Sequence, residues 1–331
     1  MWNLETHIME FRLRAITPLV LDQHPGSALR GALFNALLAR FCVNRSAPTC
    51  AVCPLNQTCP VSALIAPLRD EAPRGRDIPR PFVIRPPRGE HRTFAPGDTV
   101  RFGLNLFGHA ATLFPYIVLS VHTMESMGVG RPLPELQGRR GQFRVEAIEA
   151  LGINQGDITE RVTLYTAGVP IARQPHLAYS AAQVAARAAK LPTSHLRLYL
   201  LSPLHLTAQG RPLDRFDFPV LIARLVERMD ALQREYGAPD GTTSTAEQRA
   251  AWQGAARAVR VVCDETHWIT AHSHSRRTGD TVAVSGLVGF VELVGDLTEL
   301  RELLVWGELV HVGKNAVKGN GWYQVDGVNE L

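Results

Sequence analysis

The string His311-Val312-Gly313-Lys314-Asn315-Ala316-Val317-Lys318-Gly319-Asn320-Gly321-Trp322-Tyr323 puts three glycines, two lysines and a histidine into thirteen residues. Glycines at this spacing let the backbone adopt positive φ and approach a phosphate closely, and successive N–H groups form an anion-binding concavity. Of 35 basic residues only Lys190, Lys314 and Lys318 are lysines, so two of them in one glycine string mark a place where a compact ammonium is wanted. No Ser or Thr follows the lysine and the string runs toward a strand, which excludes the P-loop order and nucleoside triphosphate binding with it. His311 abuts Lys314, so a proton-transfer group and a cation would meet at one phosphate. That pairing suits the cutting of RNA through its own 2′-hydroxyl, in which one group removes the hydroxyl proton, another protonates the departing 5′-oxygen and a cation steadies the phosphorane. His24 is the second candidate, because it falls between a strand and a helix whose N-terminus favours anions. The bland alternative is a glycine hairpin with solvated lysines and packing histidines. His205 and His122 read as packing residues, whereas His272 and His274 flank Arg276 and Arg277 and suit RNA contact.

A second constellation is Cys42, Cys50, Cys53 and Cys59, spaced C-x7-C-x2-C-x5-C. Four thiolates make a closed tetrahedral site with no open position for water, hence structural zinc. An iron–sulfur cluster and four ordinary thiols are the alternatives. Cys263 stands alone in an apolar strand and reads as core. Five cysteines so distributed do not make a secreted disulfide framework.

The elements that position these residues occur twice. The first half opens on FRLRAITPLVL, a strand closing at Thr17-Pro18, followed by SALRGALFNALLARF with Leu29, Leu33 and Leu37 at helical spacing. The second half opens on LRLYLLSPLHL, closing at Ser202-Pro203, followed by FPVLIARLVERMDALQREY with Leu221, Leu225, Met229 and Leu232 on one face. Each half also ends on a glycine string and a strand, with Gly128, Gly130 and Arg131 before Arg139 and Arg140 in the first, and the string above in the second. FPYIVLSVH reads as an apolar helix or strand, and a helix is expected from Leu297 to Trp306. The order strand, helix, strand hairpin, helix, glycine loop, strand is ferredoxin-like. Two such domains are expected, at 1–150 and 195–331, joined by 151–194. Residues 67–98, with seven prolines, read as an extended loop, as do 237–249.

The net charge is +4 with 45% hydrophobic residues, a mild basic excess concentrated at residues 69–101 and 131–144. No apolar run reaches the roughly 18 to 20 residues of a membrane span, so a soluble, cytoplasmic protein without membrane partners is expected.

LRGALFNALL with the cysteine cluster, the paired TPL and SPL turns, MGVGR with RRGQFRV, SRRTGDTVAVSGLVGFVEL and HVGKNAVKGNGWY together resemble the RAMP-superfamily CRISPR precursor-RNA processing endoribonuclease, over nearly the whole chain. The resemblance implies an α+β protein of tandem ferredoxin-like, RRM-like domains with glycine-rich loops. It also implies metal-independent cleavage of CRISPR repeat RNA to a 5′-hydroxyl and a 2′,3′-cyclic or 3′-phosphate, the mature guide RNA passing to subunits of an effector complex. Carried over by residue, Gly313, Lys314, Gly319 and Gly321 match the loop of the second domain, with Lys318 inside it, and Gly128 and Gly130 its weaker copy. The family's histidine near the first strand–helix turn matches His24, and one before Gly-Lys matches His311. The rival readings are a non-catalytic RAMP subunit that grips guide RNA and a zinc-dependent hydrolase, the latter opposed by an all-thiolate ligand set.

Overall fold

The computed structural model describes residues 1–68, 78–89, 92–154, 157–169, 171–274 and 281–327. It divides into two units, one formed by His7–Gly152 with Glu160–Ala178, the other by Met1–Thr6, Ile153–Thr159 and Tyr179–Leu331.

In the first unit β1 (Thr6–Ala15) ends on the alternation Phe11, Leu13, Ala15 inward and Arg12, Arg14 outward. A period of two with one apolar set is what a half-covered sheet requires. After the short β2 (Leu19–Val20) comes α1 (Gly26–Phe41), whose buried set is Gly26, Leu29, Leu33, Ala36 and Leu37. The excursion that follows holds α2 (Pro60–Ile65). Then come β3 (Phe82–Arg85), β4 (Thr93–Phe94), β5 (Thr99–Phe107) and α3 (Phe114–Met127). β6 (Val129–Leu133), β7 (Arg139–Gly141), β8 (Phe143–Asn154) and β9 (Asp157–Thr166) complete the unit. The main sheet runs β3-β5-β1-β8-β9, the helices packing on its apolar face.

Two expectations change here. The proline-rich stretch 67–98 is not wholly loop, because Phe82–Arg85 pairs with β5 in register from Phe82↔Leu106 to Arg85↔Gly103 and buries Phe82, Val83 and Ile84. FPYIVLSVH is helical, beginning with a proline in its first turn, where the missing N–H is not needed.

The second unit begins with α4 (Ala181–Ala188), whose Ser180 and Gln183 form a reciprocal capping box. It continues through β10 (His195–Leu204), the ribbon β11 (Thr207–Ala208) and β12 (Arg211–Pro212), α5 (Phe218–Tyr236) and α6 (Ala246–Ala258). β13 (Arg260–Asp264), β14 (His267–Ile269), β15 (His272–His274), β16 (Thr281–Ala283), β17 (Gly286–Val294), α7 (Arg301–Val310) and β18 (Tyr323–Gly327) follow. The order β13-β17-β10-β18 repeats the β3-β5-β1-β8 order of the first unit, so both halves carry the ferredoxin-like arrangement. The expected loop 237–249 ends early, since α6 starts at Ala246 and Ser244 is buried against Asp230.

The chain's opening residues belong to this second unit. Trp2 donates through Nε1 to the buried Asp230 carboxylate at 2.8 Å and stacks on Trp252, and the Asn3 carbonyl accepts from Ala238. Among the described residues no helix is long and apolar enough to cross a membrane.

Candidate nucleic-acid site

Each glycine string is bolted to the Pro-Leu turn of its own unit, by the same contacts. In the first unit the Thr17 hydroxyl accepts from the Gln142 N–H at 2.9 Å and Ile16 N–H donates to the Gln142 carbonyl at 2.8 Å. In the second the Ser202 hydroxyl accepts from the Trp322 N–H at 2.8 Å and Leu201 N–H donates to the Trp322 carbonyl at 2.9 Å. Gly130 (φ 86°) lies so close to the Val20 carbonyl that a Cβ would be driven into it, and Gly313 (φ 85°) would place one 2.5 Å from the His205 carbonyl. Val20 and His205 occupy the same place after the two prolines. Only a residue without Cβ permits this approach of backbone to backbone. Gly319 (φ 90°) and Gly321 (φ 67°) complete the second string, whose Lys314 is exposed and Lys318 half-buried.

The two units differ at the helix that follows the turn. α5 is closed, because Asp217 accepts the Val220 N–H at 2.8 Å. α1 opens after Pro25 with no side-chain cap and no acid in its first turn, which leaves the positive end of the helix dipole to attract an anion. His24 stands at that entrance, half-buried. Its pKa is held below the usual histidine value, first by its burial and then by the charge of Arg92. Arg92 arrives because its carbonyl accepts from Leu21 N–H at 2.8 Å beside the β2–β4 pairing. Arg131 pairs with Asp22, and Arg140 donates to the Gly130 carbonyl. Arg139 is exposed and donates to Leu136 O at 3.2 Å. A neutral imidazole, an open helix N-terminus and several guanidinium groups thus gather in the first unit. Arg92 escaped sequence reading, since only the β2–β4 pairing carries it to His24.

His311 is corrected as a catalytic candidate. It is 0% exposed, stacked on Trp322 at 5.7 Å between ring centroids, at the C-terminus of α7. A side chain so placed does not reach a strand of RNA. His205 is buried, its Nδ1 2.9 Å from the Ser285 carbonyl, as a packing residue would be. Arg276 and Arg277 lie outside the described residues.

The four clustered cysteines are all half-buried and outside any disulfide. Cys42 closes α1, Cys50 and Cys53 bracket a 3-10 turn, and Cys59 precedes α2. Among the described residues no three His, Cys, Asp or Glu side chains are gathered as a ready metal site, and no step is routed through one.

The fold and the paired glycine strings define the class, an α+β protein of tandem ferredoxin-like domains. Residues 198–323 match the family model of the CRISPR-associated endoribonuclease Cas6, and residues 4–176 match the AF_1859_N model, described as an N-terminal domain. Residues 198–323 thus form a domain of the Cas6 type, found in CRISPR-associated RAMP-type processing endoribonucleases. Among solved structures it is similar to a product complex of Cas6 (TTHB231), with 16% identity, a TM-score of 0.56 and coverage of 97% of this chain and 100% of that one. Thermus thermophilus Cas6 (TTHB231) has 15% identity and a TM-score of 0.52, with coverage of 98% and 99%. A chain of a partial Cas6-RT-Cas1–Cas2 complex has 12% identity and a TM-score of 0.58, covering 98% of this chain and 46% of that one. At these identities the likeness concerns the fold. No curated protein matches the sequence.

Proposed function

We propose that the protein binds CRISPR repeat RNA and cuts it by attack of the RNA's own 2′-hydroxyl, with His24 as the base and no catalytic metal ion. The observation that carries this reading is the uncapped start of α1 with His24 and Arg92 beside it. Neutral His24 takes the 2′-hydroxyl proton, and the freed oxygen attacks the adjacent phosphorus. The bond to the 5′-oxygen breaks as that oxygen takes a proton from water, which leaves a 5′-hydroxyl and a 2′,3′-cyclic phosphate, and His24 gives its proton back to solvent. Arg92, Arg131 and the first N–H groups of α1 steady the charge on the phosphorane. The internal nucleophile removes the need for a metal-bound hydroxide. The string around Gly313, Lys314, Lys318, Gly319 and Gly321 holds backbone phosphates in the other unit, as Gly128, Gly130, Arg139 and Arg140 do in the first. The trimmed RNA then serves as guide in an effector complex.

His24→Ala is expected to slow cutting by roughly 10²- to 10⁴-fold while RNA affinity stays within a few-fold, read with radiolabelled repeat RNA in EDTA beside a strand with a 2′-deoxy substitution at the cut site. Normal cutting by His24→Ala sinks the assignment, and tight binding without cutting by the unmodified protein returns the chain to a guide-gripping subunit. Because burial and Arg92 lower the His24 pKa, the base remains neutral below the usual histidine range. The acid limb of the rate profile is therefore expected below about pH 6.5, and Arg92→Gln should move it upward.

A further inference from the structure

The second unit's sheet buries Leu196, Leu198 and Leu200 of β10 with Val291 and Leu293 of β17 on one face. The opposite face carries His195, Arg197, Tyr199, Phe290 and Glu292, all partly exposed. Tyr199 and Phe290 lie directly opposite each other in the β10–β17 register, on the two central strands of the order β13-β17-β10-β18. Their ring centroids are 5.9 Å apart. Neither ring is needed to close the core, which lies across the sheet. The Arg197 guanidinium carbon stands 5.6 Å from the Tyr199 centroid and 4.9 Å from that of Phe290. Arg197 also donates to the Tyr199 hydroxyl at 2.8 Å and pairs with Glu292, whose other oxygen lies 3.3 Å from His195 Nε2. Two rings and one planar cation are therefore held in place before any ligand arrives, which lowers the ordering cost of binding flat groups.

We propose that this face, centred on Tyr199, Phe290 and Arg197, is a stacking platform for unpaired nucleotides of the RNA, separate from the glycine strings. A four-stranded sheet with aromatic rings on its central strands takes two or three bases by stacking, and a guanidinium plane serves as a further stacking surface. Glu292 offsets most of the Arg197 charge, so the platform reads base faces and contributes little phosphate attraction. The proposal rests on the RNA-binding reading above, but not on His24.

The test uses the full chain and a fluorescein-labelled single-stranded oligouridine in anisotropy titrations. Tyr199→Ala and Phe290→Ala are each expected to weaken binding by roughly tenfold, Phe290→Tyr to keep it within about twofold, and the slope of affinity against salt to stay unchanged because no phosphate contact is lost. Phe290→Leu keeps an apolar side chain without a π face and must weaken binding too, with a melting curve matching the unmodified protein. Photocross-linking of the unmodified protein to the same oligonucleotide is expected to place uridine on Tyr199 or Phe290. Wild-type affinity in both alanine variants, or adducts solely elsewhere, overturns the platform. If His24→Ala cuts normally while these adducts persist, the cleavage assignment falls and the platform stands.

Discussion

The two glycine strings are copies of one device, and they part at the residue that ends the preceding helix. In the first unit that residue is Gly128, with φ 72° and ψ 168°. In the second it is His311, with φ 57° and ψ 168°, a conformation that is almost a glycine preserve and costs a residue with a Cβ about 1–3 kcal/mol. The same backbone is thus reached freely in one half and against strain in the other. Burial of the His311 imidazole against Trp322, itself 7% exposed, offsets the strain. A shared turn fixes backbone geometry, while the side chains on it are free to serve different ends. The first unit leaves its helix N-terminus open with His24 beside it, whereas the second caps its helix with Asp217 and packs a ring, His311, where the first has Gly128.

The largest effect on this comparison is expected from Gly130→Ala and Gly321→Ala, whose Cβ atoms would be driven into the Val20 and Val312 carbonyls at positive φ. Left-handed strain of about 1–2 kcal/mol adds to overpacking of about 1–3 kcal/mol, so urea unfolding should show each variant destabilised by about 3 kcal/mol or more. A change under about 1 kcal/mol in Gly130→Ala would mean that its string is not bolted to the turn, and one in Gly321→Ala that the second string is not closed on itself at Val312. A smaller effect distinguishes His311→Gly from His311→Ala. Glycine ordinarily costs a helix about 1 kcal/mol relative to alanine, but at φ 57° the order is expected to invert, with the glycine variant melting higher. Should alanine melt higher, the strain assigned to His311 is absent.

Much of the fold was legible because apolar periodicity is a direct trace of burial. Leu29, Leu33 and Leu37 on α1, and Leu221, Leu225, Met229 and Leu232 on α5, were readable as faces and are buried. Pro-Leu turns and glycine strings were readable as pairs because backbone geometry constrains residue type. β3 was hidden, since four residues between prolines carry no period and acquire an identity only by pairing with β5. His311 was misplaced for a related reason, because adjacency to Gly313 and Lys314 along the chain says nothing about which side of α7 the ring takes. The cysteine spacing described a motif, whereas placement of the thiols depends on the path of the excursion between α1 and α2.

Trp2, clasped by Asp230 and Trp252, reverses the order of assembly relative to the order of synthesis. Trp2 and its neighbours have no seat until α5 and α6 have been made, more than two hundred residues later. A growing chain therefore carries an exposed indole until α6 has been made, and the segment around Trp2 settles only as the second unit closes. Domains otherwise fold in the order they emerge. Here a segment made early is among the last parts to be finished, so a product truncated before α5 would leave Trp2 unseated.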